Sequence, residues 1–233
     1  MARATLFAVI ASSALPLGAW IGVWQMPRRS VVAALLAFAS GALITAVAFE
    51  LFEDAFQQGA WQAGFAFAAG ATVFVLVDTS LDRLTKKRAA AGGTVGFALL
   101  ASVTLDGVPE NLAMGVSLLE GGGPALLVAI FFSNLPEAIV GSEKMREAGL
   151  ETGTILLIWG VTAVLLALAV IIGYGALDGV SDEALAWPLG FAAGAVLASL
   201  ADTLMPEAFE EGGPWVAWFT ALGFLVSFLI SAA

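Results

Sequence analysis

"TVGFALLASVTLDGVPENLAMGVSLL", residues 94–119, is long and apolar enough to cross a bilayer, yet it carries Asp106, Pro109 and Glu110 near its centre. A helix needs about 20 mostly apolar residues to span the hydrocarbon core. This stretch contains no Lys or Arg to neutralise its acids. A carboxylate at that depth costs about 2.5 to 3.5 kcal/mol on insertion scales, so an acid retained there points to a functional site. Pro109 adds a second departure: it removes the helical hydrogen bond to the carbonyl of Leu105 and frees an oxygen acceptor.

Outward from this stretch the chain keeps the same character. Its 233 residues are 60% hydrophobic and 12% charged, with a mean hydropathy of +0.96, far beyond what a soluble domain carries. The expected fold is an all-α polytopic membrane protein of eight transmembrane helices, at residues 4–24, 31–52, 60–78, 94–119, 124–143, 153–176, 186–209 and 214–231. They form one membrane domain over 1–233, with helices 1–3 at 4–78, a polar cytoplasmic loop at 79–93, helices 4–5 at 94–143 and helices 6–8 at 153–231. Trp20, Trp24, Trp61, Trp159, Trp187, Trp215 and Trp218 fall near the span ends, where an amphipathic ring prefers the headgroup level.

The chain has neither cysteine nor histidine, which removes disulfides, thiolate and imidazole ligands, cysteine nucleophiles and histidine bases. An enzyme is therefore not expected. A net charge of −10 argues against a nucleic-acid partner and is compatible with attracting cations. Arg3 ahead of the first apolar run looks like the start of a signal peptide, but keeping that span distributes the basic residues coherently. Arg28, Arg29, Arg83, Lys86, Lys87, Arg88, Lys144 and Arg146 then share one side, and Arg3 alone lies on the other. The positive-inside rule makes the first side cytoplasmic and both termini extracytoplasmic, in a cell membrane (inner or plasma).

An internal repeat sharpens the architecture. "FASGALITAVAFELFEDAFQQG" (38–59) aligns without gaps to "FAAGAVLASLADTLMPEAFEEG" (191–212) with nine identities. The two copies run in opposite directions, so helices 1–3 and 6–8 are expected to form an inverted 3+3 repeat around a central pair of Pro-kinked helices 4 and 5. Secondary transporters use such a plan, with the substrate site near the midplane. The small residues Gly41, Gly64, Gly70, Gly190 and Gly194 permit close helix approach, within a protomer or across a homodimer.

Helix 5 repeats the puzzle of helix 4. "SNLPEA" (133–138) places Pro136 and Glu137 at similar depth to Pro109 and Glu110, and Pro136 frees the carbonyl of Phe132. Asp106 and Glu110 share a helix face at i and i+4, as do Ser133 and Glu137. Opposed faces would gather carboxylates, the Asn134 amide and the Ser133 hydroxyl into an oxygen-rich cage suited to a divalent ion. The competing reading is that the acids are protonated and hydrogen-bonded to neighbouring helices. Glu50, Glu53 and Asp54 at the outer end of helix 2 are candidates for an entrance pathway, and Asp202 and Glu207 near the inner end of helix 7 for an exit pathway; solvated helix ends are the alternative for most of these.

Eight spans, outward termini, a long loop after the third and Pro-Glu motifs on the fourth and fifth resemble the ZIP (Zrt/Irt-like protein) divalent metal transporters. Pro109-Glu110 and Pro136-Glu137 match the cores of the family's His-Asn-x-Pro-Glu-Gly-type and second Pro-Glu-Gly-type motifs. Asp106 stands where the first motif has its histidine, Gly107 where it has asparagine, and Asn111 where it has glycine; Ala138 replaces the glycine of the second. The resemblance implies metal ligation by Glu110 and Glu137, with Asp106 as a ligand by substitution and Ser133 and Asn134 as further donors. The expected function is import of a divalent transition metal into the cytoplasm by alternating access. Zinc or another of manganese, iron, cobalt and cadmium would be the substrate, the lipid bilayer is the surrounding partner, and no tightly bound cofactor is expected. The alternative is a relative that no longer moves metal and instead carries protons or another solute, or acts as a sensor or assembly partner. A remaining rival, an intramembrane hydrolase, lacks the histidines of a metalloprotease and the closely paired aspartates of an aspartyl enzyme.

Overall fold

The computed structural model describes residues 1–90 and 95–232, without the side chains of residues 82, 84–90, 95–103, 105, 106 and 182. The described residues are helical nearly throughout. We number the long helices α1 (Ala2–Trp24), α2 (Arg29–Gln58), α3 (Ala60–Ala90), α4 (Val95–Ser117), α5 (Pro124–Glu147), α6 (Thr152–Ala176), α7 (Glu183–Gly212) and α8 (Pro214–Ser231). Seven of them, all but α4, contain an apolar window long enough to cross a membrane among the described residues. That is consistent with a multi-pass membrane protein. The expected fourth span, α4, is itself an unbroken helix of 23 residues.

The boundaries follow local chemistry. Gln25 ends α1 just before Pro27, and Gly59 separates α2 from α3. The turn into α5 uses Gly123 at φ +119, with Pro124 in the first helical turn, where its missing N–H leaves nothing unsatisfied. The helix expected to stop at residue 78 instead continues to Ala90, so the polar loop expected at 79–93 is helical over most of its length. Leu, Lys, Arg and Ala in that stretch are all good helix formers, and charge alone does not unwind them.

Burial ranks the helices. In their apolar windows α2 is 67% buried, and α5 and α7 are each 61% buried; α8, at 17%, is the least buried of these seven. The outer helices present large apolar side chains such as Phe65, Leu157 and Trp218 to the surroundings. In water such surfaces would aggregate, whereas in lipid they are the expected exterior.

Backbones touch where glycine allows it. A Cβ at Gly41 of α2 would collide with the Thr220 carbonyl of α8, and one at Gly223 of α8 with the Phe38 carbonyl of α2. The α3 and α7 pair meets in the same way, with Gly194 against Phe67 and Gly70 against Phe191. Thr45 Oγ1 donates to the Phe224 carbonyl and Ser227 Oγ to the Ala42 carbonyl, both at 3.1 Å, so polar bonds reinforce the first pair.

Three helices are not α-helical throughout: α8 opens with a 3-10 turn at Pro214–Val216, and two others carry π-helical segments. Val47–Phe52 in α2 and Leu200–Leu204 in α7 are π-helical, a wide turn that re-aims the side chains beyond it.

The tryptophans divide. Trp61 and Trp187 meet edge to face at 5.8 Å on exposed helix ends. Trp159, expected at the headgroup level, is instead 1% exposed, its ring laid over Gly141 between α5 and α6.

Candidate functional site

The two Pro-Glu helices pack against each other in the bundle. Both prolines sit inside unbroken α-helices, so each helix passes through its proline and the carbonyls of Leu105 and Phe132 receive no N–H four residues on. Freed carbonyls at membrane depth are tolerated where they face protein, water or an ion.

Around these prolines lies a set of buried oxygen-bearing side chains. Glu110 is 3% exposed, Ser133 and Asn134 are each 1% exposed, and Glu137 is half-buried. Ser133 Oγ donates to the Ile130 carbonyl at 3.0 Å, which leaves the oxygen's lone pairs able to accept or ligate. Asn134 Nδ2 has no hydrogen-bond partner. The Asp106 side chain lies outside the described residues, so its expected place on the Glu110 face is not part of this geometry. Among the described residues, no three acidic, His or Cys side chains are grouped so as to hold a metal ion.

Asn111 was not expected to matter. It is fully buried, its Nδ2 donates to the Gly107 carbonyl at 2.8 Å, and its Oδ1 has no partner. A buried amide oxygen without a donor costs free energy, and it is the kind of acceptor a passing cation or water satisfies. Its sequence signal was a polar residue directly after Glu110 in an apolar helix.

The residues proposed for the entrance have different places. Glu50 is 5% exposed and reaches the first turn of α5, where its Oε1 accepts the Ala125 N–H at 3.1 Å and its Oε2 the Leu126 N–H at 2.9 Å. Glu53 is exposed and accepts a long hydrogen bond from Gln57, and Asp54 is half-buried within electrostatic reach of Glu120, Glu50 and Glu53. The acids at this end of the bundle therefore gather. Arg3 joins them, its Nη2 donating to the Gly121 and Gly122 carbonyls at 3.2 and 3.0 Å.

At the opposite end, Asp202 is exposed within the π-helical segment of α7, and Glu207 lies 3.7 Å from Lys144 Nζ. A second ion pair, Arg29 to Glu211 at 2.7 Å, ties the start of α2 to the end of α7. Half-exposed pairs of this kind contribute little stability. Their value is in showing which helix ends share a face: basic Arg29 and Lys144 meet the acids of α7 at one end, while Glu50, Asp54 and Glu120 occupy the other.

In comparison with known proteins, the chain matches no family model and no curated protein.

Proposed function

We propose that this protein carries a divalent transition-metal ion across a membrane, as the resemblance to the ZIP transporters implies. The observation that carries the reading is the burial of Glu110 beside Pro109, with Ser133 and Asn134 equally buried on the adjoining proline-bearing helix. Carboxylate, amide and hydroxyl oxygens, with two freed carbonyls, are a donor set for hard or borderline divalent ions. Glu110, Glu137 and Asp106 would replace part of the hydration shell, and Asn134 and Ser133 would complete it. Import into the cytoplasm is the direction that the resemblance implies, with the end that bears most of the Lys and Arg residues taken as cytoplasmic.

We read the chain further as an inverted repeat that works by alternating access. The π-helical segments support this, because Val47–Phe52 and Leu200–Leu204 start at aligned positions of the two similar stretches. The glycine contacts support it too. In the same gap-free register Gly41 aligns with Gly194, Thr220 with Phe67, Gly223 with Gly70 and Phe38 with Phe191, so exchanging the two stretches maps the α2/α8 contacts onto the α3/α7 contacts. Two similarly clamped pairs flanking α4 and α5 are suited to move as arms around a fixed central site.

A bound ion stabilises the state that binds it, by about 2.7 kcal/mol at a hundred times Kd. Zinc or manganese should therefore raise the melting temperature of the purified wild-type protein and leave Glu110→Gln unmoved. No shift with any of zinc, manganese, iron(II), cobalt or cadmium would count against the reading and favour transport of protons or another solute.

A further inference from the structure

Glu50 has no place in an ion pathway as the structure holds it. It is 5% exposed, and both carboxylate oxygens are engaged by backbone N–H groups 75 and 76 residues later in the chain, in the first turn of α5. Helix α5 needs such a partner. The first turn of any helix leaves N–H groups without intrahelical acceptors, and a side chain at the N-cap normally accepts one. Here the N-cap is Gly123, which has no side chain to offer. A carboxylate supplied from α2 does the capping instead, with its charge placed at the positive end of the helix dipole.

Two further observations make this more than a cap. Glu50 lies inside the π-helical segment Val47–Phe52, whose wide turn sets the direction in which it points. The turn before α5 is also held from α1, through the Arg3 bonds to Gly121 and Gly122, with the Arg3 guanidinium 5.4 Å from the centre of the Phe7 ring. The start of α5 is thus fixed from two directions by polar, directional contacts. Elsewhere α2 and α5 contribute mainly Ala, Leu and Ile side chains to one shared apolar cluster, with Phe38 and Phe132 edge to face at 5.0 Å, and burial of apolar area is by itself non-directional. From Leu126 to Ser133 is roughly 10 Å along a helix rising 1.5 Å per residue. A rotation or slide at the clamp therefore moves Ser133, Asn134 and Glu137 with little loss along the rod. The aligned position in α7 is Thr203, whose Oγ1 turns back to the Ser199 carbonyl at 2.7 Å and presents no carboxylate.

We propose that Glu50 is a positioning residue: it clamps the start of α5 to the π-helical segment of α2 and so sets the depth and rotation at which Ser133, Asn134 and Glu137 meet the transported ion. The assignment of those three residues rests on the metal-carrier reading above; the clamp does not.

The test combines two readouts on the full chain in lipid bilayers: hydrogen exchange at the Ala125 and Leu126 amides, and the KM and maximal rate of zinc uptake. Glu50→Ala should speed exchange at both amides about tenfold or more, since each loses a hydrogen bond to a charged acceptor. Exchange in α8 should be unchanged. The same variant should raise KM for zinc at an unchanged amount of folded protein. Glu50→Gln, which keeps the size and one acceptor oxygen, should fall between, and Glu50→Asp should rescue KM in part. Unchanged exchange at Ala125 and Leu126 would overturn the clamp. Faster exchange with an unaltered KM in every variant would overturn the positioning role and leave a helix cap alone. Absence of uptake of every one of zinc, manganese, iron(II), cobalt and cadmium by the wild-type protein would overturn the carrier reading instead, and the exchange result would still decide the clamp.

Discussion

At the scale of single residues, polar positions inside the bundle were legible where the sequence broke its own pattern. Glu110 and Glu137 stand out in apolar spans beside prolines, and the structure buries the first almost completely and half-buries the second. Asn134 offers a sharper test than either acid. Its Nδ2 is buried without a partner, so replacing the amide by an apolar group of similar size should be neutral or stabilising. Asn134→Leu is therefore expected to melt at or above the wild-type temperature while zinc uptake falls, and retained uptake would remove Asn134 from the site. What the sequence did not disclose depends on contacts between distant segments. Nothing local in "AFELFED" separates Glu50, which caps α5, from Glu53, which is exposed. Trp159 likewise carries no local mark of its burial; the space it fills is made by Gly141 on another helix.

At the scale of the elements, apolar run length located all eight helices, because a bilayer span imposes a minimum length that few other structures share. Their ends were read less well. Helix α3 runs on to Ala90 and α2 to Gln58, since a helix does not stop where the hydrocarbon stops if its residues favour helix and solvent accepts them. The π-helical segments left no readable sequence signal. The glycines did leave one, but not every glycine in a span is a contact. Leucine at Gly41 or at Gly194 would drive a side chain into a backbone carbonyl of the paired helix, whereas Gly64 has open space around it. Overpacking of this kind typically costs about 1 to 3 kcal/mol. Gly41→Leu and Gly194→Leu should lower the melting temperature by similar amounts, and Gly64→Leu should leave it unchanged. Equal tolerance at all three positions would argue against backbone contact in the α2/α8 and α3/α7 pairs.

At the scale of the whole molecule, charge gives the bundle its direction. Arg29 and Lys144 share one end with Glu207 and Glu211, and Arg3, Glu50, Asp54 and Glu120 share the other. On the proposal made above, the positive-inside rule places the first end in the cytoplasm. Because the chain has no cysteine, a single introduced thiol reports its side without background. Ser181→Cys, in the exposed turn before α7, should react with an impermeant maleimide on intact cells, and Ala148→Cys, in the exposed turn after α5, only after permeabilisation. The reverse pattern would invert the topology and with it the direction of import. The central claim is that Glu110 of α4 and Glu137 of α5 hold a metal in transit. It is tested most directly by uptake of zinc, manganese, iron(II), cobalt and cadmium into liposomes containing the wild-type, Glu110→Gln or Glu137→Gln protein. Saturable uptake of at least one ion by the wild type, lost in both variants, is the predicted result; no uptake by the wild type across a range of pH and voltage gradients, or uptake preserved in both variants, would contradict it.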